Sequence, residues 1–194
     1  RYTGVQEGRP QDMKENTTWE YLNGNKRCIS LNTKTPEGME ALMKLLEDAD
    51  VLVTNWRLGA LQRAGLDYET LKVKFPRLIY AMILGYGATG PDKDLPGYDF
   101  TAFFGRGGYT ENLRRRGGQP ITMLPGLGDN NVGLMLALGI VTALVKRAET
   151  GVGDFVSSSL YETAIFNHSI MLLAAQYDGA ASEYPISIYD NKTP

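Results

Sequence analysis

One apolar segment, residues 132–145, constrains the fold of this chain more than any other. Every residue in it is apolar or small except Thr142, and a helix without a polar face is typical of a buried core element. The run is shorter than the roughly 18 residues that a bilayer crossing needs, and it closes on Lys146 and Arg147. The sequence therefore predicts a buried core helix and not a membrane span.

A carboxylate lies at the predicted start of this helix. Asp129 follows Gly126 and Gly128 directly ahead of the apolar run. One interpretation is an N-cap, whose oxygen accepts a hydrogen bond from a first-turn N–H group and contributes about 1 kcal/mol. The other is a reactive carboxylate, a nucleophile or base held at the positive end of a helix dipole beside glycines that let a ligand approach. The residues alone allow both interpretations.

Composition excludes several classes of function. The 194 residues, 43% of them hydrophobic, suit one domain or a large part of one. Twenty basic and 22 acidic residues give a net charge of −2, without the basic excess of proteins that bind nucleic acid or anionic membranes. A single cysteine, Cys28, and a single histidine, His168, argue against a disulfide framework and against a Cys-rich or His-rich metal site. These features favour a small soluble partner, a reducing cytoplasm and no bound metal.

Short apolar strands alternate with helical patterns along the chain. The predicted strands are 27–31, 51–54, 78–84 and 154–159, and the predicted helices are 36–48 after a Thr35 cap, 68–75 after an Asp67 cap, 98–104 and 160–176. Such alternation predicts Rossmann-like βαβ units, and therefore an α/β fold with a parallel sheet flanked by helices. The apolar periodicity stops at Tyr177, which predicts a domain over 1–176 and the start of a linker over 177–194.

Open parallel sheets bind ligands beyond the carboxyl ends of their strands. The residues that follow the first three predicted strands are 32–34, 55–59 and 85–97, and the last is a loop of a length that is uncommon unless it is functional. A second loop carries Arg114, Arg115 and Arg116, which we interpret as solvated cations because no basic stripe accompanies them. We interpret His168 as a satisfied polar group, since no G-x-S-x-G elbow supports a catalytic triad.

Several stretches together resemble the class III CoA transferases, also called the CaiB/BaiF family. They are NKRCISLNTKTPEG (25–38), DADVLVTNWRLGALQRAGLDYETLKVKFPRLIYAMILGYGATGP (48–91), PGYDF (96–100), GDNNVG (128–133) and TGVGDFVSSSL (150–160). In detail the chain resembles the subgroup that acts on 2-hydroxyacids from amino-acid fermentation, such as phenyllactate and 2-hydroxyisocaproate. The resemblance implies that residues 1–176 form the central part of the large CoA-binding domain of an interlocked homodimer. Residues 177–194 would then lead towards a second domain.

The resemblance also implies a reaction. Asp129 matches the family's nucleophile, which attacks an acyl-CoA thioester to form a mixed anhydride and is then converted by CoA thiolate to an aspartyl-CoA thioester. The acceptor acid attacks that thioester in turn. Coenzyme A is thus a substrate, and no tightly bound cofactor or metal is implied.

The same resemblance implies a set of CoA contacts. Cations would pair with the CoA phosphates and an indole would line the pantetheine or adenine surface, although an Arg stem covering a helix and an ordinary buried Trp are alternatives. The matching positions are Leu31, Asn32, Thr33, Lys34, Asn55, Trp56, Arg57, Arg63, Tyr98 and Asp99.

The predicted function is transfer of CoA between an acyl-CoA and a small carboxylic acid, with a 2-hydroxyacid favoured. One alternative is a 2-methylacyl-CoA racemase, which shares the fold but uses a His–Asp pair for proton transfer. Racemases resembling this family carry His where this chain has Tyr98. A non-catalytic CoA-binding module is the other alternative.

Overall fold

A computed structural model describes residues 16–114, 118–120 and 124–177. The predicted linker beyond Tyr177 and two of the loop cations, Arg115 and Arg116, lie outside the described residues. The chain divides into two compact units, residues 1–44 and residues 45–194, and each is described by itself.

The first unit contains two helical segments joined by an irregular one. Helix α1 (Thr17–Asn23) begins after Asn16, whose side chain accepts a hydrogen bond from the Trp19 N–H at 2.8 Å. Helix α2 (Pro36–Glu47) begins at the predicted proline, and the Thr35 hydroxyl accepts a hydrogen bond from the Gly38 N–H. The strand predicted at 27–31 is wrong: these residues form no strand, and Ile29 is exposed. Among the described residues, no neighbouring strand pairs with them.

Three parallel strands form the centre of the second unit. They are β1 (Val51–Thr54), β2 (Ile79–Leu84) and β3 (Phe155–Ser159), and they lie side by side in that order. Ala81 of β2 is paired with Val53 of β1 and with Val156 of β3. Because β2 lies between two strands and is covered on both faces, almost all of it is buried. The predicted α/β fold with a parallel sheet and flanking helices is confirmed.

Two helices connect β1 to β2. Helix α3 (Leu58–Ala64), which the sequence patterns do not predict, ends at Gly65 in the left-handed conformation. Helix α4 (Tyr68–Lys74) begins after Asp67, as predicted, and the Asp67 carboxylate accepts hydrogen bonds from both the N–H and the hydroxyl of Thr70.

A long excursion connects β2 to β3. It contains the loop 85–97, a π-helix (Asp99–Arg106) where an α-helix was predicted, α5 (Tyr109–Asn112) and α6 (Leu127–Thr150). The two ends of the loop touch each other through glycines: a Cβ atom added to Gly85 would lie 2.7 Å from the Gly97 Cα. Only glycine at both positions allows the ends to approach so closely.

The apolar helix α6 is buried on one side only. Gly128, Val132 and Leu136 lie on its buried side, whereas Leu134 and Leu138 are 72% and 63% exposed. The prediction of a helix buried all round is therefore wrong for this part of the protein, because the described elements cover a single face. Length and composition alone would also let α6 cross a bilayer, a test that core helices of soluble proteins pass as well.

The segment after β3 forms two short helices where one was predicted. Helix α7 (Leu160–Asn167) is capped by Ser159, and α8 (Ser169–Ala174) follows a break at His168. The His168 ring is buried, and its Nδ1 lies 2.9 Å from the Gly107 carbonyl oxygen. His168 is thus a satisfied polar group, as predicted.

Tyr80 gives the first testable prediction. Its hydroxyl is buried in the sheet and donates a hydrogen bond to the Leu66 carbonyl at 2.7 Å. Burial, with a smaller effect of the Asp67 charge, raises the pKa of Tyr80 to about 12. Tyr80→Phe leaves the Leu66 carbonyl unsatisfied, so we expect the free energy of unfolding to fall by about 1–2 kcal/mol at neutral pH. Chemical denaturation of the complete protein measures this loss, and Tyr21→Phe, at an exposed tyrosine, is the control.

The same pKa predicts a pH dependence. Unfolded Tyr80 loses its proton near pH 10, about two units before folded Tyr80 does. Stability from the protonated hydroxyl is therefore fully present below pH 10 and is lost as the pH rises towards 12. Wild type should lose more stability than Tyr80→Phe across this range, and parallel losses would contradict the assignment.

Candidate active site

A cleft of about 360 Å³ lies at the carboxyl edge of the sheet. Residues that follow each of the three strands contribute to its walls, which is the position expected for a ligand site in a parallel α/β sheet. Its lining residues are Asn55, Trp56, Arg57, Leu58, Ile83, Leu84, Gly85, Lys93, Leu95, Pro96, Gly97, Tyr98, Asp99, Asp129 and Leu160.

Six of the predicted site residues meet in this cleft. Asn55, Trp56 and Arg57 follow β1. Tyr98 precedes the π-helix, which begins at Asp99, and Asp129 lies in the first turn of α6. Trp56 and Tyr98 are both exposed, so two aromatic surfaces are available to a ligand.

The other predicted residues lie elsewhere. Arg63 is in the last turn of α3 and does not line the cleft. Leu31, Asn32, Thr33 and Lys34 belong to the first unit, where they precede α2. The Asn32 side chain there accepts a hydrogen bond from the Lys34 N–H at 3.2 Å.

Asp129 does not cap α6. The helix begins at Leu127, with Gly126 as its N-cap in the left-handed conformation (φ 81°), so Asp129 is the third helical residue. The cap interpretation is therefore wrong, because glycine allows the chain to turn into the helix earlier than the apolar pattern indicates. The Asp129 carboxylate instead contributes to the wall of the cleft.

Asp99 provides the carboxylate that binds the start of α6. It is only 7% exposed, and its Oδ2 accepts a hydrogen bond from the Gly126 N–H at 2.6 Å. Its Oδ1 is buried without a hydrogen-bond partner of ordinary geometry among the described residues. Burial raises the pKa of Asp99, an effect that the backbone amides of Gly126, Gly128 and Asp129 oppose.

The environment of Asp129 destabilises its negative charge. Desolvation by the surrounding protein raises the pKa of Asp129, and the neighbouring charge of Asp99 raises it further. The residue as a whole remains exposed, so the desolvation reflects protein atoms packed around the carboxyl group and not full burial. A carboxylate whose charged form is destabilised is a stronger base and nucleophile than a fully solvated one.

Loop 85–97 stands out in the sequence by its length, but the sequence does not indicate which of its residues reach the cleft. Lys93, Leu95 and Pro96 do so. The Lys93 Nζ lies 2.9 Å from the Asp94 carboxylate, and its side chain is partly exposed. The length of the loop indicates that it has a function, but only the structure shows which positions face the cleft.

The chemistry of the cleft is that of carboxylates, cations and aromatic rings. Among the described residues, no group of three or more His, Cys, Asp or Glu side chains could hold a metal ion. Arg57 and Lys93 offer positive charge to an anionic ligand, while Asp129 offers a nucleophilic oxygen. This set fits an organic substrate that carries anionic groups.

Fold and cleft together define an α/β protein with a ligand site at the carboxyl edge of its sheet. A family model described as CoA-transferase family III matches residues 1–190. The chain therefore belongs to CoA-transferase family III.

Two curated relatives are similar over nearly the whole chain. The cinnamoyl-CoA:phenyllactate CoA-transferase of Clostridium sporogenes is 50% identical over 194 residues, which are 100% of this chain and 47% of that protein. The (R)-2-hydroxy-4-methylpentanoate CoA-transferase of Clostridioides difficile is 44% identical over 185 residues, 95% of this chain and 46% of that protein. The chain thus spans about half the length of these relatives.

Solved structures share the fold. A CaiB/BaiF family protein from Brucella suis aligns with a TM-score of 0.72 and 35% identity, over 78% of this chain and 41% of that one. A hypothetical protein from Mycobacterium tuberculosis aligns with a TM-score of 0.74 and 28% identity, over 80% of this chain and 44% of that one.

The electrostatics of the site predict contrasting titrations. Desolvation raises the pKa of Asp129, whereas the desolvation of Asp67 is outweighed by hydrogen bonds from the Thr70 side chain and from nearby backbone N–H groups, which lower the pKa of Asp67. In a ¹³C NMR titration of aspartate carboxyl groups in the complete protein, Asp129 should gain its proton at a higher pH than Asp67. Asp129→Asn and Asp67→Asn assign the two signals. The reverse order would contradict the described environment of Asp129.

Proposed function

We propose that the complete protein transfers coenzyme A between an acyl-CoA and a small carboxylic acid, with a 2-hydroxyacid as acceptor or donor. The observation that carries this proposal is the Asp129 carboxylate, placed in the cleft wall with a raised pKa. No cation lies within ion-pair distance of it among the described residues. The names of both curated relatives contain a 2-hydroxyacid, which favours this substrate class.

The proposed reaction uses Asp129 as the nucleophile. Its carboxylate attacks the thioester carbonyl, the C–S bond breaks, and CoA thiolate leaves as an acyl–aspartyl anhydride forms. The thiolate then attacks the aspartyl carbonyl, which releases the donor acid and gives an aspartyl-CoA thioester. The acceptor carboxylate attacks that thioester and expels the thiolate, so that a second mixed anhydride forms between Asp129 and the acceptor. The thiolate attacks the acceptor's acyl carbonyl, the anhydride C–O bond breaks, and the new acyl-CoA leaves with the Asp129 carboxylate restored. Water must be excluded, because it would hydrolyse either intermediate.

The structure supports some of the proposed CoA contacts, whereas others rest on the family resemblance alone. Asn55, Trp56, Arg57 and Tyr98 line the cleft that contains Asp129, which supports a role in binding the acyl-CoA. The roles of Arg63 and of residues 31–34 rest on the family resemblance alone. The cytoplasmic location and the place in amino-acid fermentation likewise remain predictions.

Asp129→Asn tests the proposed nucleophile. Asn has almost the same shape, but its amide cannot form the anhydride, so we expect CoA transfer in the complete protein to fall by about 10⁴-fold or more. Binding of CoA, measured by calorimetry, and the melting temperature should change little. Asp48→Asn, at an exposed residue, is the matched control and should retain full activity.

A covalent intermediate provides a second measurement on wild type. Incubation with acyl-CoA should leave a CoA thioester on Asp129. Hydroxylamine displaces CoA from this thioester and leaves a hydroxamate, whereas borohydride reduces it to an alcohol, and mass spectrometry locates either product on the peptide that contains Asp129. An adduct on Cys28 or Ser157 would overturn the proposed chemistry. Rapid deuterium exchange at the α-carbon of the acyl group without an adduct would instead indicate racemase chemistry.

We also propose that the complete protein forms an interlocked homodimer. The exposed apolar side chains on α6, which include Leu134, Leu138, Val141 and Val145, support this proposal. Exposed apolar patches of this kind mark surfaces that another element covers. In the proposed homodimer, the assembled subunits cover this face of α6.

Residues 1–194 expressed alone test the assembly proposal. We expect this fragment to aggregate and to bind a hydrophobic dye such as 8-anilinonaphthalene-1-sulfonate, because the apolar face of α6 is uncovered. The double variant Leu134→Lys/Leu138→Lys should reduce both effects. Val73→Lys, at a single exposed valine on α4, is the control. A monodisperse wild-type fragment in light scattering would contradict the proposal.

A further inference from the structure

We infer that Asp99 is a positioning residue for Asp129: its buried carboxylate binds the turn that begins α6 and fixes the orientation from which Asp129 attacks. This inference rests on the proposed role of Asp129 as the nucleophile. The sequence resemblance places Asp99 only among the CoA contacts, whereas the structure directs its side chain towards the protein backbone.

The first support is a hydrogen bond between distant parts of the chain. The Gly126 N–H donates to Asp99 Oδ2 at 2.6 Å, across 27 residues of sequence. A helix start leaves several backbone N–H groups without partners, and these are usually bound by a side chain of the capping residue. Gly126 has no side chain to do so. The carboxylate of Asp99, on the π-helix, takes over that function.

The second support is the close packing around this hydrogen bond. Gly128 lies against both Asp99 and Phe103, so that a Cβ atom at position 128 would overlap Asp99 Oδ1 and the Phe103 ring. Phe103 is completely buried. The first turn of α6 is therefore held against a rigid part of the core, and Asp129 is the next residue in that turn.

The third support is the cost of the arrangement. Asp99 is 7% exposed, and its Oδ1 is buried without a hydrogen-bond partner of ordinary geometry among the described residues, so that the nearby amides of Gly128 and Asp129 only partly offset its desolvation. A neutral Ser or Asn can bind helix N–H groups without burying a charge. Unsatisfied buried polar groups tend to occur at functional sites, where the surrounding structure holds them in place.

The carboxylate also has an electrostatic effect that a neutral cap would lack. The charge of Asp99 raises the pKa of Asp129, in addition to the larger effect of desolvation. The other titratable side chains in the cleft wall are Arg57, Lys93 and Tyr98. The elements packed against the π-helix carry side chains with partners of their own, namely Glu111 with Arg114, Glu162 with Ser159, and His168 with Gly107.

Asp99→Asn in the complete protein tests the inference. It keeps the shape of the side chain but removes its charge. We expect kcat to fall by about 10-fold or more, while the KM for acyl-CoA stays within about threefold. The acidic limb of the pH profile of kcat/KM should also move to lower pH, because Asp129 loses one cause of its raised pKa. A residue that only supports the fold would not move that limb.

Asp67→Asn is the matched control. Asp67 also binds helix N–H groups through its carboxylate, but at α4 and outside the cleft wall. The Asp67→Asn substitution should leave kcat and the pH profile unchanged. If Asp99→Asn does not fold, Gly128→Ala replaces it: the added methyl group would overlap Asp99 Oδ1, so it displaces that carboxylate from the turn, and kcat should fall.

The outcomes separate this inference from the proposed function. Suppose that Asp129→Asn is inactive, whereas Asp99→Asn has a kcat within twofold of wild type and an unchanged acidic limb in its pH profile. The inference is then wrong and the proposed function stands. If Asp99→Asn does not fold, an unchanged kcat in Gly128→Ala would likewise show that the inference about Asp99 is wrong. If Asp129→Asn remains active, the proposed function itself fails.

Discussion

The pairing of β2 with a parallel strand on each side is the constraint on which the second unit depends. It brings the carboxyl ends of β1, β2 and β3 to one edge, and the segments that follow them become the walls of a single cleft. Residues far apart in sequence, such as Asn55 and Leu160, meet there only because the strands run in the same direction. The chemistry of the site thus follows from the topology of the sheet.

Local patterns were sufficient wherever the structure depends on local interactions. The strand at 51–54 and the Asp67 cap could be predicted because a short apolar run and a capping side chain act within a few residues. Asp129 could be identified as a reactive candidate because it stands beside glycines ahead of an apolar helix. That Asp129 is the third residue of the helix could not be predicted, because hydrophobic periodicity does not reveal the left-handed conformation of Gly126.

The structure could not be predicted from local sequence patterns where it depends on contacts between distant parts of the chain. Residues 27–31 have a strand-like composition, but a strand also needs a neighbour to satisfy its backbone groups, and none is present among the described residues. The apolar residues of α6 indicate burial, yet the described chain supplies a cover for one face only. The contact between Asp99 and Gly126 joins segments whose proximity is set by the packing of the π-helix against α6.

The contact between Gly85 and Gly97 has a consequence for how related proteins can differ. It joins the two ends of loop 85–97 where the loop leaves β2 and where it reaches the π-helix. A segment closed at its base can be lengthened, shortened or replaced with little change in the framework that holds it. Lys93 and Leu95, which this loop brings to the cleft, can therefore diverge independently of Asp129. The loop that forms one part of the cleft wall and the helix that carries Asp129 are, in this respect, separate modules of one chain.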